Sequence, residues 1–253
     1  MEDLKAKLTP ELLQKYPSLK KVSLDTPWHG DGREQRVLEY IYARPDLATL
    51  RNNPARVCAA IEEFSINEEL LMNVGSSKVG VVTDLIAAEK PRVVVEMGCY
   101  VGYSAIAFAS ALREQHRDPT GPKPQYWSLE FSPLFASIAM NLVDLAGLSD
   151  IVKIVTGPAG TSVERLAQEA KITQIDLLFI DHMPDNYRPD LQTCESLGLL
   201  KSGALVVADN VLIPGAPDYT EYVRNHKGLE TRAVKVLTVP GDFDDEIEIT
   251  KVK

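Results

Sequence analysis

The sequence predicts an α/β protein with a doubly wound, mostly parallel sheet of seven strands and an antiparallel edge strand. Three observations support this fold class. The apolar run Val93-Val94-Val95 is typical of a buried strand, and a turn from Gly98 to Gly102 joins it to a small-residue helix. Further apolar runs that end in acidic residues alternate with helical stretches. Two alternating stretches, residues 231–239 and 246–252, fit a closing antiparallel pair.

The chain before the first strand is predicted to be helical. Residues 1–30 form an N-terminal extension, in which Pro10 starts a short helix, and residues 31–253 form one domain. His29 closes the extension, and a lone loop histidine is more often solvated than a ligand. Apolar residues at helical spacing predict helices over residues 34–43, 53–64 and 78–88.

The remaining strands are predicted from short apolar runs that follow the glycine turn. They cover residues 125–130, 151–155, 175–181 and 203–209. A helix is expected over residues 188–200, with Lys201-Ser202-Gly203 as its C-terminal cap. Residues 240–245 are expected to connect the last two strands.

The composition of the chain excludes several kinds of molecule as binding partners. The 253 residues carry a formal net charge of −9 and gather no basic patch, which argues against nucleic acid and anionic membranes. Three widely spaced cysteines suggest neither a disulfide framework nor a zinc site. The acidic start Met1-Glu2-Asp3 does not resemble a signal peptide, so we expect a cytoplasmic protein.

The window from Val93 to Leu112 also admits a membrane interpretation. It is mostly apolar and contains Gly-x-x-x-Gly, as membrane helices that dimerise do. The acidic Glu96 and the β-branched start of the window favour a strand and turn instead.

Four acidic residues end four predicted strands: Glu96, Glu130, Asp181 and Asp209. Each alone fits a solvated strand end or a helix cap, but parallel strands bring their carboxyl ends to one edge, where ligands bind. Glu130 ends the strand after the glycine turn, where an acid can accept both hydroxyls of a ribose. Asp181, Asp209 and Asn210 offer an incomplete set of oxygen ligands suited to Mg²⁺.

Several strings in the chain resemble the catechol O-methyltransferase family over residues 30 to 253. They are Met72-Asn73-Val74-Gly75, Glu96-Met97-Gly98-Cys99-Tyr100-Val101-Gly102-Tyr103-Ser104, Asp181-His182, Ala208-Asp209-Asn210 and Pro214-Gly215-Ala216-Pro217-Asp218. The resemblance implies a Rossmann-like enzyme, a monomer or homodimer, that moves the methyl group of S-adenosylmethionine to a hydroxyl of a small aromatic diol with the help of Mg²⁺.

The resemblance also implies a set of site residues. The cofactor would be held by Val74, Glu96, Gly98, Tyr100, Ser104, Glu130, Phe131, Ala159, Gly160, Asp181 and His182. Mg²⁺ would be bound by Asp181, Asp209 and Asn210, and the acceptor by Asn210, Met183 and Pro214.

The chain departs from the family on the acceptor side. Met183 and Pro184 stand where the family has a tryptophan and the lysine that acts as base, so the catalytic base is unknown. Val239 replaces a glutamate, and Leu70 replaces an aromatic residue. A protein that binds S-adenosylmethionine but catalyses poorly is therefore the alternative. A nicotinamide-dependent oxidoreductase is disfavoured, because the turn is not Gly-x-Gly-x-x-Gly.

Overall fold

A seven-stranded sheet forms the centre of the molecule in the computed structural model, which describes residues 8–22, 28–118 and 120–253. The strands lie in the order β3-β2-β1-β4-β5-β7-β6, with β1 to β5 parallel and β7 antiparallel to both of its neighbours. The predicted fold class is confirmed. The strands are β1 (Val93–Met97), β2 (Gln125–Glu130), β3 (Val152–Thr156), β4 (Ile175–Ile180), β5 (Leu200–Ala208), β6 (Leu229–Thr238) and β7 (Phe243–Val252).

Helices cover both faces of the sheet. They are α1 (Pro10–Lys15), α2 (Arg33–Tyr42), α3 (Leu47–Leu50), α4 (Pro54–Asn67), α5 (Gly75–Glu89), α6 (Tyr103–Gln115), α7 (Pro133–Leu145), α8 (Ala159–Gln168), α9 (Tyr187–Ser196) and α10 (Pro217–Asn225). Short helical turns lie at Pro17–Lys21, Pro184–Asn186 and Val211–Gly215.

Two predicted boundaries near the end of the sheet are wrong. Helix α9 ends at Ser196 and β5 begins at Leu200, because Leu200 already pairs with Ile175 before a register shift; the 201–203 segment is therefore strand, not a helix cap. Strand β7 begins at Phe243, which pairs with Thr238, so residues 243–245, half of the predicted connection, are strand too. Helices α3, α8 and α10 were not predicted from the sequence.

The alternation of side chains along each strand divides the core into two layers. Val94 packs on one face of the sheet with α4, α5 and α6, while its neighbour Val95 packs on the other face with α8, α9 and α10. All the parallel strands therefore end at one edge between the two layers, and the segments that follow them meet there.

The described part of the N-terminal extension packs on the domain. Tyr16 and Leu19 are buried against Leu70, and the Ser18 hydroxyl donates to the Ser65 carbonyl at 2.6 Å. The predicted division at residue 30 stays a prediction, and residues 1–7 and 23–27 lie outside the described ranges. Within those ranges, no helix has the length and apolar character needed to cross a bilayer.

Two glycine substitutions test the turn that follows β1. Gly98 has a φ of +96°, and a Cβ there would lie 2.2 Å from the Asp181 carbonyl oxygen. Gly98→Ala should therefore lower the free energy of unfolding by about 1–3 kcal/mol or more. Gly80 in α5 has open space around it, and Gly80→Ala should stabilise by about 0.5–1 kcal/mol. Urea denaturation measures both; equal effects would contradict the close approach at Gly98.

Candidate active site

The turn after β1 brings backbone N–H groups to the carboxyl edge of the sheet. Gly98 and Gly102 both adopt positive φ angles, which glycine tolerates without strain. An added Cβ at Gly102 would lie 3.0 Å from the Ala139 side chain, so the turn also lies tightly against α7. Helix α6 begins directly after it, with Ser104 in its first turn. This arrangement suits a ligand with an anionic group.

Glu130, at the end of β2, binds the turn from the side. Its Oε2 accepts hydrogen bonds from the backbone of Cys99 at 3.1 Å and Tyr100 at 2.8 Å, and its Oε1 accepts one from Ser132 at 2.8 Å. A carboxylate has about four lone-pair positions, so Glu130 keeps acceptor capacity for a ligand hydroxyl. Its predicted role as the ribose acceptor remains compatible with its position.

Glu96, the other acid beside the turn, lies underneath it. It is completely buried, and Ser128 donates its hydroxyl to Oε2 at 2.5 Å, while Oε1 has no partner. Burial raises the pKa of Glu96 to about 7. Glu96 lines neither of the cavities described below, so its position fits a residue that supports the turn from below.

A first cavity of about 280 Å³ lies between the glycine turn and the ends of β4 and β5. Eight of the predicted cofactor and acceptor positions line it together with Asn210: they are Val74, Gly98, Tyr100, Ser104, Asp181, His182, Met183 and Pro214. His29 also lines it, although the ring is exposed, as the sequence analysis expected. The structure thus brings together residues from six separate segments of the chain.

The remaining predicted cofactor residues lie outside the wall of this cavity. Phe131 is 76% exposed just after β2, and Ala159 begins α8. A Cβ added at Gly160 would lie 2.6 Å from Oδ1 of Asp190, and Oδ2 of Asp190 lies 2.7 Å from Nε2 of His182. Gly160 and His182 therefore share one neighbourhood, as their predicted roles around the adenine require.

A second, larger cavity of about 420 Å³ adjoins the first. The two share five lining residues: Met72, Asn73, Asp181, Asn210 and Pro214. Leu70 and Val239, which replace the aromatic residue and the glutamate of the family, both line this second cavity. Val239 is apolar where the resemblance expects a glutamate, so this part of the wall is less polar than the resemblance implies.

A buried ion network supports the ends of β5 and β7. Nζ of Lys78, in α5, lies 2.7 Å from Oδ1 of Asp209 and 2.8 Å from Oδ2 of Asp245. Although burial favours the neutral amine, the two carboxylates raise the pKa of Lys78 above its ordinary value. Asp245 also accepts from the Asn210 amide nitrogen at 2.9 Å and from the backbone of Ile213 at 3.2 Å.

The sequence analysis missed Lys78 and Asp245. Lys78 carried a weak signal, since a charged residue in an apolar helix is seldom buried without a partner. Asp245 carried none, because the acidic run from Asp242 to Asp245 resembles a solvated loop.

The acids near Lys78 are candidates for binding a cation. Burial and the neighbouring carboxyl of Asp209 raise the pKa of Asp181 well above its ordinary value, and Oδ2 of Asp209 is buried without a partner. In the described part of the chain, no three His, Cys, Asp or Glu side chains gather as a metal cluster. The predicted set contains two acids and the amide of Asn210, which offers an oxygen donor instead of a third acid.

Comparisons with known proteins identify relatives of this chain. A family model described as O-methyltransferase matches residues 56–239. A catechol O-methyltransferase of Bos taurus is 35% identical over 201 residues, which cover 79% of this chain and 70% of the relative. A probable O-methyltransferase of Mycobacterium tuberculosis is 32% identical over 213 residues, covering 83% of this chain and 86% of the relative.

Solved structures show the same architecture. A cofactor-bound protein from MTB has a TM-score of 0.64 at 25% identity, with 79% of this chain and 89% of that one covered. An O-methyltransferase from Bacillus cereus, in complex with SAH, has a TM-score of 0.63 at 22% identity, with 88% and 97% covered. The second likeness concerns the fold alone.

Glu96 should make the stability of the protein depend on pH. Its pKa is about 7 in the folded chain against an ordinary value of 4.5, so between these values the folded state binds more protons than the unfolded state. The free energy of unfolding should therefore fall as the pH rises from 4.5 to 7, by at most about 1.4 kcal/mol per pH unit. Glu96→Gln should remove this part of the slope in urea titrations at several pH values.

The exposed Glu221→Gln serves as the control and should leave the slope unchanged. A Glu96→Gln variant with the same pH dependence as the wild type would contradict the assignment.

Proposed function

Because the chain belongs to the O-methyltransferase family, we propose that it moves the methyl group of S-adenosylmethionine to a hydroxyl of a catechol-like vicinal diphenol, with Mg²⁺ bound beside the acceptor. The observation that carries this proposal is the meeting of two cavities at Asp181 and Asn210. One cavity adjoins the glycine turn and suits the cofactor, and the other is apolar and suits an aromatic ring. The cytoplasmic location and the monomeric or homodimeric state stay predictions.

The first cavity is the proposed place of the methionine part of the cofactor. Ser104 and the backbone of the glycine turn supply hydrogen-bond donors near the start of α6, where a carboxylate is stabilised. Glu130 would accept a ribose hydroxyl with its remaining lone pair. Phe131, Gly160 and His182 would surround the adenine. Holding the sulfonium methyl group in line with the acceptor oxygen is then a matter of positioning by preformed walls.

Asp181, Asp209 and Asn210 are the proposed ligands of Mg²⁺. Their fit rests on three features: Oδ2 of Asp209 is buried without a partner, Asp245 binds the nitrogen of the Asn210 amide and so leaves its oxygen available, and Lys78 offers one positive charge against three carboxyls. When bound there, Mg²⁺ would stabilise the ionised form of an acceptor hydroxyl.

The proton of the acceptor hydroxyl has no lysine to receive it at the family position. Met183 and Pro184 line the first cavity in that place, and proline has no group that accepts a proton. Lys78 is buried against Asp209 and lines neither cavity. The proton is therefore proposed to leave to water, which makes the reaction slow when the hydroxyl is neutral.

The absence of a lysine at position 184 also supports the alternative that the protein binds S-adenosylmethionine but has weak or no catechol activity. A screen of diphenols with S-adenosylmethionine, with and without Mg²⁺, separates the two. Methylated product confirms the enzyme. Tight binding of S-adenosylmethionine without product from any diphenol favours the binding protein.

The metal proposal predicts that activity requires a divalent cation. EDTA should abolish turnover and added Mg²⁺ should restore it. Asp181→Asn should raise the Mg²⁺ concentration needed for half-maximal activity by at least tenfold, roughly, because loss of an ionised ligand costs more than about 1.4 kcal/mol. Asp181 is the choice because it is not paired with Lys78, so the ion network stays intact. Asp185→Asn, an exposed acid in the next loop, is the matched control.

Full activity in the presence of chelator would contradict the metal site. Asp181, Asp209 and Asn210 would then be strand-end residues without a metal, with Asp209 held by Lys78 and Asn210 held by Asp245.

The missing base predicts a characteristic pH profile. Turnover should rise with pH until the bound hydroxyl is ionised, and electron-poor catechols should be the better acceptors near pH 7. Pro184→Lys should raise the rate on catechol near pH 7 by up to about 10²-fold, since general-base catalysis contributes roughly 10²–10⁴-fold. Pro184→Met restores the same backbone freedom without adding a base, and it should not raise the rate on catechol near pH 7. Fast turnover in the wild type with a flat pH profile would show that another base operates.

A further inference from the structure

The N-terminal extension contributes to the wall of the second cavity. Leu8, Leu19, Val22 and Trp28 line it together with Val239 of the β6–β7 connection and Phe243 at the start of β7. These extension residues precede the region that the O-methyltransferase model matches, which starts at residue 56. The cavity is therefore built partly by chain that the family model does not cover.

The extension is fastened on two sides of the cavity. Nζ of Lys15 and the hydroxyl of Tyr16 donate to the two oxygens of Asp242, at 2.6 and 2.7 Å, in the connection between β6 and β7. On the other side, Ser18 donates to the Ser65 carbonyl at the end of α4. Tyr16 is 4% exposed, so this contact is partly shielded from water. The extension is thus bonded both to the β6–β7 connection and to α4.

The cavity has a polar part and an apolar part. Three polar lining residues, Asn73, Asp181 and Asn210, also line the first cavity. The polar part therefore lies at the junction where the two cavities meet. The residues that belong to the second cavity alone are nearly all apolar: Leu8, Leu19, Val22, Trp28, Leu70, Leu71, Ile213, Val239, Pro240 and Phe243, with Thr238 as the exception. An acceptor with its hydroxyls at the junction would direct the rest of its body to this apolar part.

Size and charge define the acceptor further. A cavity of about 420 Å³ falls in the range of sites that hold drug-sized ligands, which is more than a single aromatic ring needs. Asp181 is the one charged residue among the described lining residues, and it is acidic. A carboxylate on the part of the acceptor that lies away from Asp181 and Asn210 would be buried among apolar side chains with no cation beside it, which is strongly unfavourable.

We infer that residues 8–22 form a specificity wall in the acceptor site, and that this wall selects vicinal diphenols with a bulky, uncharged, apolar substituent. This inference rests on the proposed function and names its substrate class. The wall acts by burying the substituent, while Asp181 and Asn210 face the hydroxyls.

Three acceptors test the substrate class with the full chain, S-adenosylmethionine and Mg²⁺. They are 4-tert-butylcatechol, catechol and 3,4-dihydroxybenzoate. The value of kcat/KM should be at least about tenfold higher for 4-tert-butylcatechol than for catechol, since a few buried methyl groups change specificity by roughly 10–200-fold. The carboxylated acceptor should be the poorest of the three. Equal values for all three would overturn the inference while leaving the methyltransferase proposal intact.

Substitutions in the extension test where the preference arises. Leu19→Ala should lower kcat/KM for 4-tert-butylcatechol about tenfold and change that for catechol little. Leu13→Ala removes the same side chain from the same extension at a residue that does not line the cavity, and should alter neither. Val22→Arg, at a half-buried lining position, should raise kcat/KM for 3,4-dihydroxybenzoate at least about tenfold relative to catechol. If Leu19→Ala and Val22→Arg both lowered kcat/KM to the same extent for all three acceptors, the inference would be overturned.

A binding measurement separates this inference from the proposed function. The chain has two tryptophans, Trp28 in the cavity wall and Trp127 in β2. In a Trp127→Phe variant, the fluorescence of Trp28 should respond to 4-tert-butylcatechol at a concentration at least about tenfold lower than to 3,4-dihydroxybenzoate. If Trp28 shows this difference between the two ligands but no methylated product forms, the proposed reaction would be overturned and the proposed specificity wall would be supported. No difference between the two ligands would overturn the wall.

Discussion

The pairing of Lys78 with Asp209 and Asp245 is the interaction on which the rest of the site depends. It joins three elements that are far apart in the chain, namely α5, the end of β5 and the start of β7. A buried ion pair adds little net stability compared with an apolar core, but removing one partner costs about 3–5 kcal/mol, because a charge is left unpaired. The network therefore fixes one arrangement of these elements more than it stabilises the fold.

Through that network the sheet topology becomes a binding site. Asp245 holds the Asn210 amide and the backbone that leads to Pro214, and Pro214 lies on the wall of both cavities. Helix α5 begins at Gly75, directly after Val74, so the lysine that neutralises Asp209 also fixes one side of the first cavity. A single set of buried contacts thus positions residues on the walls of both cavities.

Much of this architecture could be predicted from the sequence, because it depends on local patterns. The run Val93-Val94-Val95 and the glycines after it identify the first strand and its turn, and acids at strand ends must meet at one edge of a parallel sheet. Asp181 and Asn210 follow from this rule. The resemblance to catechol O-methyltransferases added the residues on either side, and the matches to that family confirmed the relationship.

What could not be predicted depends on contacts between distant segments. Asp245 resembles a loop acid until β7 pairs with β6, and the start of β5 at Leu200 follows from its pairing with Ile175. The contribution of the extension to the second cavity had no local signal at all, since scattered leucines in a proline-punctuated segment do not show what they pack against.

The long span of the ion network has a consequence for the order in which the protein assembles. Lys78 and Asp245 are 167 positions apart, so the partner of the lysine leaves the ribosome long after α5 does. During synthesis the strands β1 to β5 can pair while Asn210 still lacks the carboxylate that orients it. The walls of both cavities around Asn210 are therefore completed only when the closing hairpin joins the sheet.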